Sequence, residues 1–226
     1  MGTGNQSKSG FARSAIIILA SVLIGVGLWP ISGRIISFAQ GQKSTPYVLE
    51  LPPGVLEPII PEDNPLSVEK VALGKTLYFD KRLSVDNTIS CAACHDPRLG
   101  FADGKKVAEG IQQKKGARSS PTTLNTAFLD AQFWDGRAAT LEEQSVGPFT
   151  NPIEHGFANH YEMIAKMKKI PGYRKLFKEV FGEEITIDGV GKAIASFQRT
   201  ILSGNSPADR FDQGGDEKAI PAAAQK

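Results

Sequence analysis

Hydrophobic side chains recur along most of the chain at the spacing of short amphipathic helices. In residues 68–78 the apolar positions lie three and four apart, which puts them on one helix face, and Ser67 stands before them as an N-cap. Similar patterns or capping signals mark four further segments, at 140–146, 161–170, 173–181 and 187–202. Alternating strand patterns are not seen. The chain is therefore predicted to have an all-α fold with long loops.

Local signals also predict where several helices begin and end. Thr140 and Glu143 have the spacing of a capping box, in which side chains and backbone N–H groups pair reciprocally. Gly182 and Gly204 follow helical stretches, at positions where glycine commonly ends a helix. The remaining residues, 205–226, are polar and are predicted to lack regular structure.

The N-terminal part of the chain has a different pattern. Residues 15–31 are almost wholly apolar and follow a polar stretch with two basic side chains, which is the arrangement of an export signal. At about 1.5 Å per residue this run just spans a hydrocarbon core. A small-x-small site at 37–39 leaves a cleaved signal and a retained membrane anchor both open, and we favour the anchor. We assign residues 1–44 to this segment with its linker, and residues 45–226 to one exported domain.

Composition sets wider limits on the domain. Residues 42–64 are rich in proline and are predicted to form an extended linker over the domain surface. The part that follows is long enough to bury a core of its own. The chain has a formal net charge of +2, which gives no electrostatic reason to expect nucleic acid as a partner.

Both cysteines of the chain lie in one five-residue motif that reads C-A-A-C-H. C-x-x-C-H is the pattern for covalent attachment of a c-type haem. The thiols of Cys91 and Cys94 can each add to a haem vinyl group, and His95 then supplies the proximal iron ligand. Covalent haem attachment in bacteria takes place outside the cytoplasm, which agrees with the export segment. We therefore predict one covalently bound haem c.

Three other uses of the motif fit less well. A structural zinc site needs about four nitrogen or sulfur ligands, and only His155 and His160 remain to add to the motif. A thioredoxin-like thiol pair expects a βαβ setting, which the pattern does not show. A plain disulfide would leave His95 without a role.

Three aromatic residues and two polar ones follow the motif. Taken alone, Phe128, Phe133 and Trp134 are best interpreted as a compact aromatic group in the core. Gln144 and Glu154, each taken alone, would be surface residues.

Several short blocks with fixed spacing give these residues a context. They are L-G-K at 73–75, L-Y-F-D at 77–80, R-L-S at 82–84, C-A-A-C-H-D-P at 91–97, R-x-S-P-T at 118–122, F-W-D-G-R-A at 133–138, E-Q at 143–144, G-P at 147–148, Glu154, and S-P-x-D-R-F at 206–211. Together they resemble the N-terminal half of the bacterial di-haem cytochrome c peroxidase family, including its methylamine-dehydrogenase-maturase relatives. The resemblance covers residues 66–215 and implies a cytochrome c-like haem domain.

The resemblance also implies roles for individual residues. The resemblance implies that the N-terminal haem is the site where peroxide binds, that Gln144 and Glu154 face its open side, and that Trp134 lies on the route between the two haems of the family. The chemistry is consistent with these residue types. A carboxylate at 154 can carry the proton that must move between the two oxygens of peroxide. An amide at 144 can donate a hydrogen bond without titrating, and an indole is easily oxidised for a side chain.

Two positions differ from the family pattern. Typical members have a histidine in the loop before Arg118, whereas Ile111 stands near that place here, so we expect the distal side of the haem to be open. Ser119 replaces an asparagine that often belongs to a calcium site, which weakens the expectation of calcium. Rival sixth ligands for the iron follow later in the chain: His155, His160, Met163 and Met167.

The sequence contains one haem motif, where the family expects a second haem domain after residue 215. We therefore expect a separately encoded half, a truncated product or a mono-haem protein. The prediction is a periplasmic peroxidase domain, free or anchored to the inner membrane, that reduces hydrogen peroxide with electrons from a partner cytochrome or cupredoxin. The alternatives are a mono-haem electron-transfer cytochrome c and an inactive half-domain that docks to a second haem subunit.

Overall fold

The computed structural model describes residues 44–225, in which helices alternate with long loops and short 3-10 turns. Within this range the only β pairing consists of four isolated bridges, so the predicted all-α class is confirmed for it. The helices are α1 (Val68–Phe79), α2 (Cys91–Cys94), α3 (Leu141–Val146), α4 (His160–Met167), α5 (Tyr173–Phe181), α6 (Ile187–Gln198) and α7 (Pro207–Asp212).

The predicted export segment, at 15–31, lies outside the described residues. Among the helices that are described, none has the length and apolar character needed to cross a bilayer. The proline-rich stretch begins at the edge of the described range and, from residue 44 onwards, is irregular with two hydrogen-bonded turns, at 52–55 and 61–64. Its backbone contacts later parts of the chain, because Tyr47 N–H donates to the Leu66 carbonyl and Asn205 N–H donates to the Pro53 carbonyl.

Side-chain caps fix the starts of the helices. The Ser67 hydroxyl accepts a hydrogen bond from the Lys70 N–H at the start of α1, as the sequence predicted. Thr140 accepts from the Glu143 N–H at the start of α3. The Glu143 carboxylate accepts from the N–H of Ala139 instead of Thr140, so the predicted capping box is formed only in part.

Three sequence predictions about local structure are wrong. Helix α6 ends at Gln198, four residues before the predicted end. Residues 207–212 form α7 inside the stretch predicted to be irregular, because Ser206 and Asp209 build a reciprocal capping box. The aromatic group is not core, since Phe128 is 40% and Trp134 is 61% exposed.

The core forms where α6 crosses α1 and α3. Gly74 of α1 lies against α6 so closely that a Cβ atom there would overlap the Ala193 carbonyl group. Gly191 of α6 lies against α3 in a similar way, with 2.8 Å between an added Cβ and the Glu142 carbonyl oxygen. The close approach brings together fully buried side chains from several helices: Leu77, Tyr78, Phe177, Val190 and Ile194.

A buried polar network joins the same three helices. Arg199 donates to both carboxylate oxygens of Glu142, at 2.6 Å and 3.1 Å. Asn64 donates to Glu142 at 2.6 Å and accepts from Lys70 Nζ at 2.9 Å. Since each charged group in the network has an opposite charge or an amide beside it, α1, α3 and α6 are held in one relative arrangement.

Replacing Gly74 by alanine tests the close crossing of α1 and α6. The added methyl group meets backbone atoms that cannot rotate away, so we expect Gly74→Ala to lower the free energy of unfolding by about 1–3 kcal/mol. Chemical denaturation followed by circular dichroism measures it. Gly116→Ala is the matched control, because its added methyl group would lie 3.6 Å from the nearest side-chain atom. Equal stability of Gly74→Ala and the unmodified protein would contradict the close crossing.

Candidate haem site

The C-A-A-C-H motif forms a single helical turn, α2, at the edge of a cavity. The His95 N–H donates to the Cys91 carbonyl at 3.0 Å and closes the turn. Cys94 and His95 line a main cavity of about 610 Å³. Both residues also line a smaller cavity of about 40 Å³ together with Cys91. The two thiols are free, and burial raises the pKa of both, that of Cys91 to about 12.

The imidazole of His95 is held from one side by two backbone carbonyls. Its Nδ1 lies 2.9 Å from the Pro121 oxygen and 3.3 Å from the Phe101 oxygen. Carbonyl oxygens only accept, so Nδ1 carries the hydrogen and Nε2 carries the lone pair. Burial lowers the pKa of His95, which favours the neutral ring that a metal needs. Histidines that ligate a metal through one ring nitrogen typically donate the N–H of the other ring nitrogen to such a carbonyl.

The motif is tied to α1 by Tyr78. The buried Tyr78 hydroxyl lies 3.2 Å from the Thr123 hydroxyl and donates to the His95 carbonyl at 3.5 Å. Burial raises the pKa of Tyr78, so the phenol stays protonated and remains a donor. Because Tyr78 belongs to the helix that crosses α6, the position of the motif depends on the core.

Gln144 and Glu154 line the same two cavities as His95. Gln198, at the end of α6, donates to the Gln144 side-chain oxygen at 3.4 Å, which leaves the Gln144 NH₂ group to act as a donor in the cavity. The Asn151 amide donates to the Glu154 carboxylate at 2.7 Å. The structure therefore brings together the carboxyl and amide groups that were predicted ten residues apart.

The carboxyl group of Glu154 is affected by opposing influences. Burial is the largest of them and raises its pKa, whereas the charge of Arg137 and the hydrogen bond from Asn151 act in the opposite direction. The net result is a raised pKa. A raised pKa brings a carboxyl group closer to the pH at which it can both take up and release a proton.

Trp134 lies at the mouth of the main cavity, largely exposed, with its Nε1 donating to the Ser119 carbonyl at 2.8 Å. Its neighbour Phe133 has a φ of 68°, a conformation that is uncommon for a residue other than glycine. The Arg137 guanidinium stacks 3.6 Å from the Phe133 ring centroid and donates to Asp135 at 2.8 Å. This strained loop turns Phe133 and Trp134 towards the cavity, which explains why these two side chains are absent from the core.

The four rival iron ligands lie in different environments. His155 is buried and lines the smaller cavity, its Nδ1 lies 2.7 Å from the Leu83 carbonyl, and burial lowers its pKa to about 4. His160 points its Nε2 at the Val146 carbonyl, 3.0 Å away. Met163 and Met167 are completely buried in the hydrophobic core. Of these four side chains, His155 is the one that borders a cavity shared with His95.

Three further residues shape the site and were not predicted from the sequence, namely Gln198, Asn151 and Arg137. Gln198 could have been noticed in the sequence, because it is a polar residue on the otherwise apolar face of α6. The other two are in loops, where no periodic pattern exists to mark them. Arg137 belongs to the F-W-D-G-R-A block, so its motif was recognised although its contact with the cavity was not.

Ile111 stands near the place where the family resemblance led us to expect a histidine, and its backbone is hydrogen-bonded. The Ile111 N–H donates to the carbonyls of Ile153 and Glu154 at 3.0 Å and 3.2 Å. Gly110 allows this approach, since a Cβ there would overlap the Ile153 carbonyl. The weakened expectation of calcium near Ser119 stays a prediction, and within residues 44–225 no three His, Cys, Asp or Glu side chains group as metal ligands.

The residues present fit a covalently bound haem c. Cys91 and Cys94 offer two free thiols on one turn, and His95 offers a neutral nitrogen beside them. The main cavity has the size of a cofactor pocket, for which about 300–1,000 Å³ is usual. Cys91, Cys94 and His95 would hold the group, and Gln144 and Glu154 would stand beside it.

Several known proteins are similar to this chain. Residues 68–218 match the family model for the di-haem cytochrome c peroxidases. The chain is 44% identical to the methylamine utilization protein MauG of Methylophilus methylotrophus, over 74% of this chain and 49% of that protein. It is 43% identical to the cytochrome c peroxidase Ccp of Escherichia coli K12, over 75% of this chain and 37% of that protein.

A solved structure is also similar. A MauG-like protein associated with microbial copper homeostasis superimposes with a TM-score of 0.69 and 34% identity, over 79% of this chain and 53% of that one. The chain thus spans about half the length of several relatives that it matches. Since the family model covers most of the chain and the site residues lie within it, the chain belongs to the di-haem cytochrome c peroxidase family.

Proposed function

We propose that this part of the chain is a c-type haem peroxidase domain that reduces hydrogen peroxide with electrons from a partner protein. The observation that carries the proposal is that Gln144 and Glu154 line the same cavity as His95. Haem held by the motif supplies a redox-active iron. The reaction turns one hydrogen peroxide, two electrons and two protons into two water molecules, so the protein must move protons as well as bind the substrate.

Different side chains of the site are proposed to bind the substrate and to move the proton. Glu154 takes a proton from one oxygen of hydrogen peroxide and returns it to the other, so that water can leave. Gln144 donates a hydrogen bond to the bound substrate, and Gln198 keeps that amide in place. Asn151 holds the carboxyl group of Glu154 in one orientation. His95 stays neutral and fixed because its Nδ1 hydrogen is committed to backbone carbonyls.

The electrons are proposed to enter through Trp134. Its indole is the large oxidisable group at the mouth of the cavity, and 61% of its surface is open to a partner. A cytochrome or a cupredoxin would serve as the donor, and a second haem subunit is a further candidate. The C-A-A-C-H motif and the apolar pattern of residues 15–31 support a periplasmic location, with the N-terminal segment as signal or inner-membrane anchor.

One observation favours an alternative function, a mono-haem electron-transfer cytochrome. His155 is buried beside the small cavity that Cys91 and His95 also line. As a sixth ligand it would fill the position that hydrogen peroxide needs. The hydrogen bond from its Nδ1 to Leu83 resembles the arrangement at His95.

Serine substitutions test the covalent attachment. Cys91→Ser and Cys94→Ser should each keep one thioether bond, and the double variant should keep none. Haem staining after denaturing electrophoresis measures covalently bound haem. Ala93→Ser is the control, because it places a serine in the same turn and leaves both thiols. Haem that stays on the double variant in the denaturing gel would contradict the assignment.

Replacing Glu154 by glutamine tests its proton transfer. We expect Glu154→Gln to slow peroxide cleavage by about 10²-fold or more, because the amide cannot take up the proton. Stopped-flow absorbance with hydrogen peroxide measures the rate. Glu183→Gln makes the same change at an exposed position and should leave the rate unaltered. An unaltered rate in Glu154→Gln would remove Glu154 from this role.

The optical spectrum of the ferric protein separates the two functions. For a peroxidase we expect a high-spin spectrum that shifts promptly after one equivalent of hydrogen peroxide, both in the unmodified protein and in His155→Gln. A low-spin spectrum that ignores hydrogen peroxide, and that becomes high-spin in His155→Gln, would instead establish His155 as sixth ligand and the protein as an electron carrier.

A further inference from the structure

A second cavity, here called the side cavity, lies beside the main one. It measures about 400 Å³. Its outer part is lined by the exposed residues Glu143 and Pro152, so it reaches the protein surface. Gly147 contributes no side chain to it, and a Cβ added there would lie 3.4 Å from the Phe133 ring. The side cavity is therefore open to the surface, and Glu154 is one of the residues that line it.

The two cavities share a wall. Five residues line both, and Glu154 is the carboxylate among them: Phe133, Arg137, Pro148, Asn151 and Glu154. The wall is held by specific contacts, because the Arg137 guanidinium lies over the Phe133 ring and the Asn151 amide binds the Glu154 carboxylate. Asn151 is itself fixed, since its side-chain oxygen accepts from the Ile153 N–H at 2.9 Å.

Access to Glu154 is a physical problem once a cofactor is bound. A haem attached through Cys94 and His95 would take up the main cavity that these residues line, and a substrate would then need another way to the carboxyl group. The side cavity opens to the surface, and Glu154 lines it together with the polar residues Asn151 and Arg137. We propose that the side cavity is the route by which hydrogen peroxide and other small solutes reach Glu154.

The lining suits small solutes that form hydrogen bonds. Glu143 and Arg137 place opposite charges on it, and Asn151 adds an amide. Hydrogen peroxide is uncharged and can exchange hydrogen bonds with all three groups, so its passage involves no burial of a charge. The inference rests on the proposed function for the identity of its solute, whereas the route itself can be tested with an inert ligand.

Thr150 is the best position at which to block the route. It is half-buried, lines the side cavity and is absent from the lining of the main cavity. In the ferric haem-loaded protein, we expect Thr150→Phe to slow cyanide association by about 10-fold or more. A narrowed route slows entrance and exit alike, so the dissociation rate constant should fall by the same factor and the dissociation constant should stay the same. Stopped-flow absorbance and equilibrium titration measure these quantities.

Thr76→Phe is the matched control, because it makes the same substitution at an exposed position of α1. It should leave both rate constants unaltered. The proposal is overturned if Thr150→Phe binds and releases cyanide at the unmodified rates. A changed dissociation constant with an unchanged association rate would also overturn it, because that result describes a disturbed site instead of a narrowed route.

A reversible block covers the case in which Thr150→Phe does not fold. With Cys91 and Cys94 bound to haem, Thr150→Cys would carry the one free thiol of the chain. Modification with a benzyl methanethiosulfonate should slow cyanide association, and removal of the benzylthio group with a reductant should restore it. Equal rates before and after modification would count against the route.

The outcomes also separate this inference from the proposed function. If Thr150→Phe slows cyanide binding while Glu154→Gln leaves peroxide cleavage unaltered, the route stands and the catalytic role of Glu154 falls. If Glu154→Gln slows cleavage while Thr150→Phe binds cyanide normally, the peroxidase function stands and the route falls.

Discussion

The close crossing of α6 with α1 and α3 is the constraint on which the rest of the structure depends. Gly74 and Gly191 let the backbones approach, and each helix then delivers one part of the site. Helix α1 holds the motif through Tyr78, α3 carries Gln144, and α6 ends at Gln198. The hydrogen bond between the two glutamine amides is possible only if α3 and α6 keep this spacing.

Burial shifts the pKa values of His95 and Glu154 in opposite directions, and each shift suits the proposed role of the residue. It lowers the pKa of His95, which keeps the ring neutral and able to bind a metal. It raises the pKa of Glu154, which brings the carboxyl group closer to the pH at which it can exchange protons. Fixed partners prevent these desolvated groups from reorienting: the Pro121 carbonyl for His95, and the Asn151 amide for Glu154.

The loop from Gln132 to Ala138 contributes lining residues to both the main cavity and the side cavity. It keeps Phe133 at a φ of 68°, stacks Arg137 on that ring and leaves Trp134 exposed. Strain of this kind persists where the surrounding contacts require it, here the bridge between Gln132 and Ala138 and the ion pairs of Asp135. Electrons are proposed to enter through the exposed indole of Trp134, and hydrogen peroxide is proposed to enter through the side cavity.

The sequence by itself determined the features that depend on neighbours along the chain. The C-A-A-C-H motif, the caps at Ser67 and Thr140 and the helical periodicity act over a few residues, so they could be interpreted without a structure. The sequence blocks that resemble the family also predicted Gln144 and Glu154 as site residues. Only the tertiary structure decided which distant groups meet: Gln198 beside Gln144, the exposure of Trp134, and the second cavity at Glu154. Such contacts result from backbone packing between segments far apart in sequence, which no local pattern records.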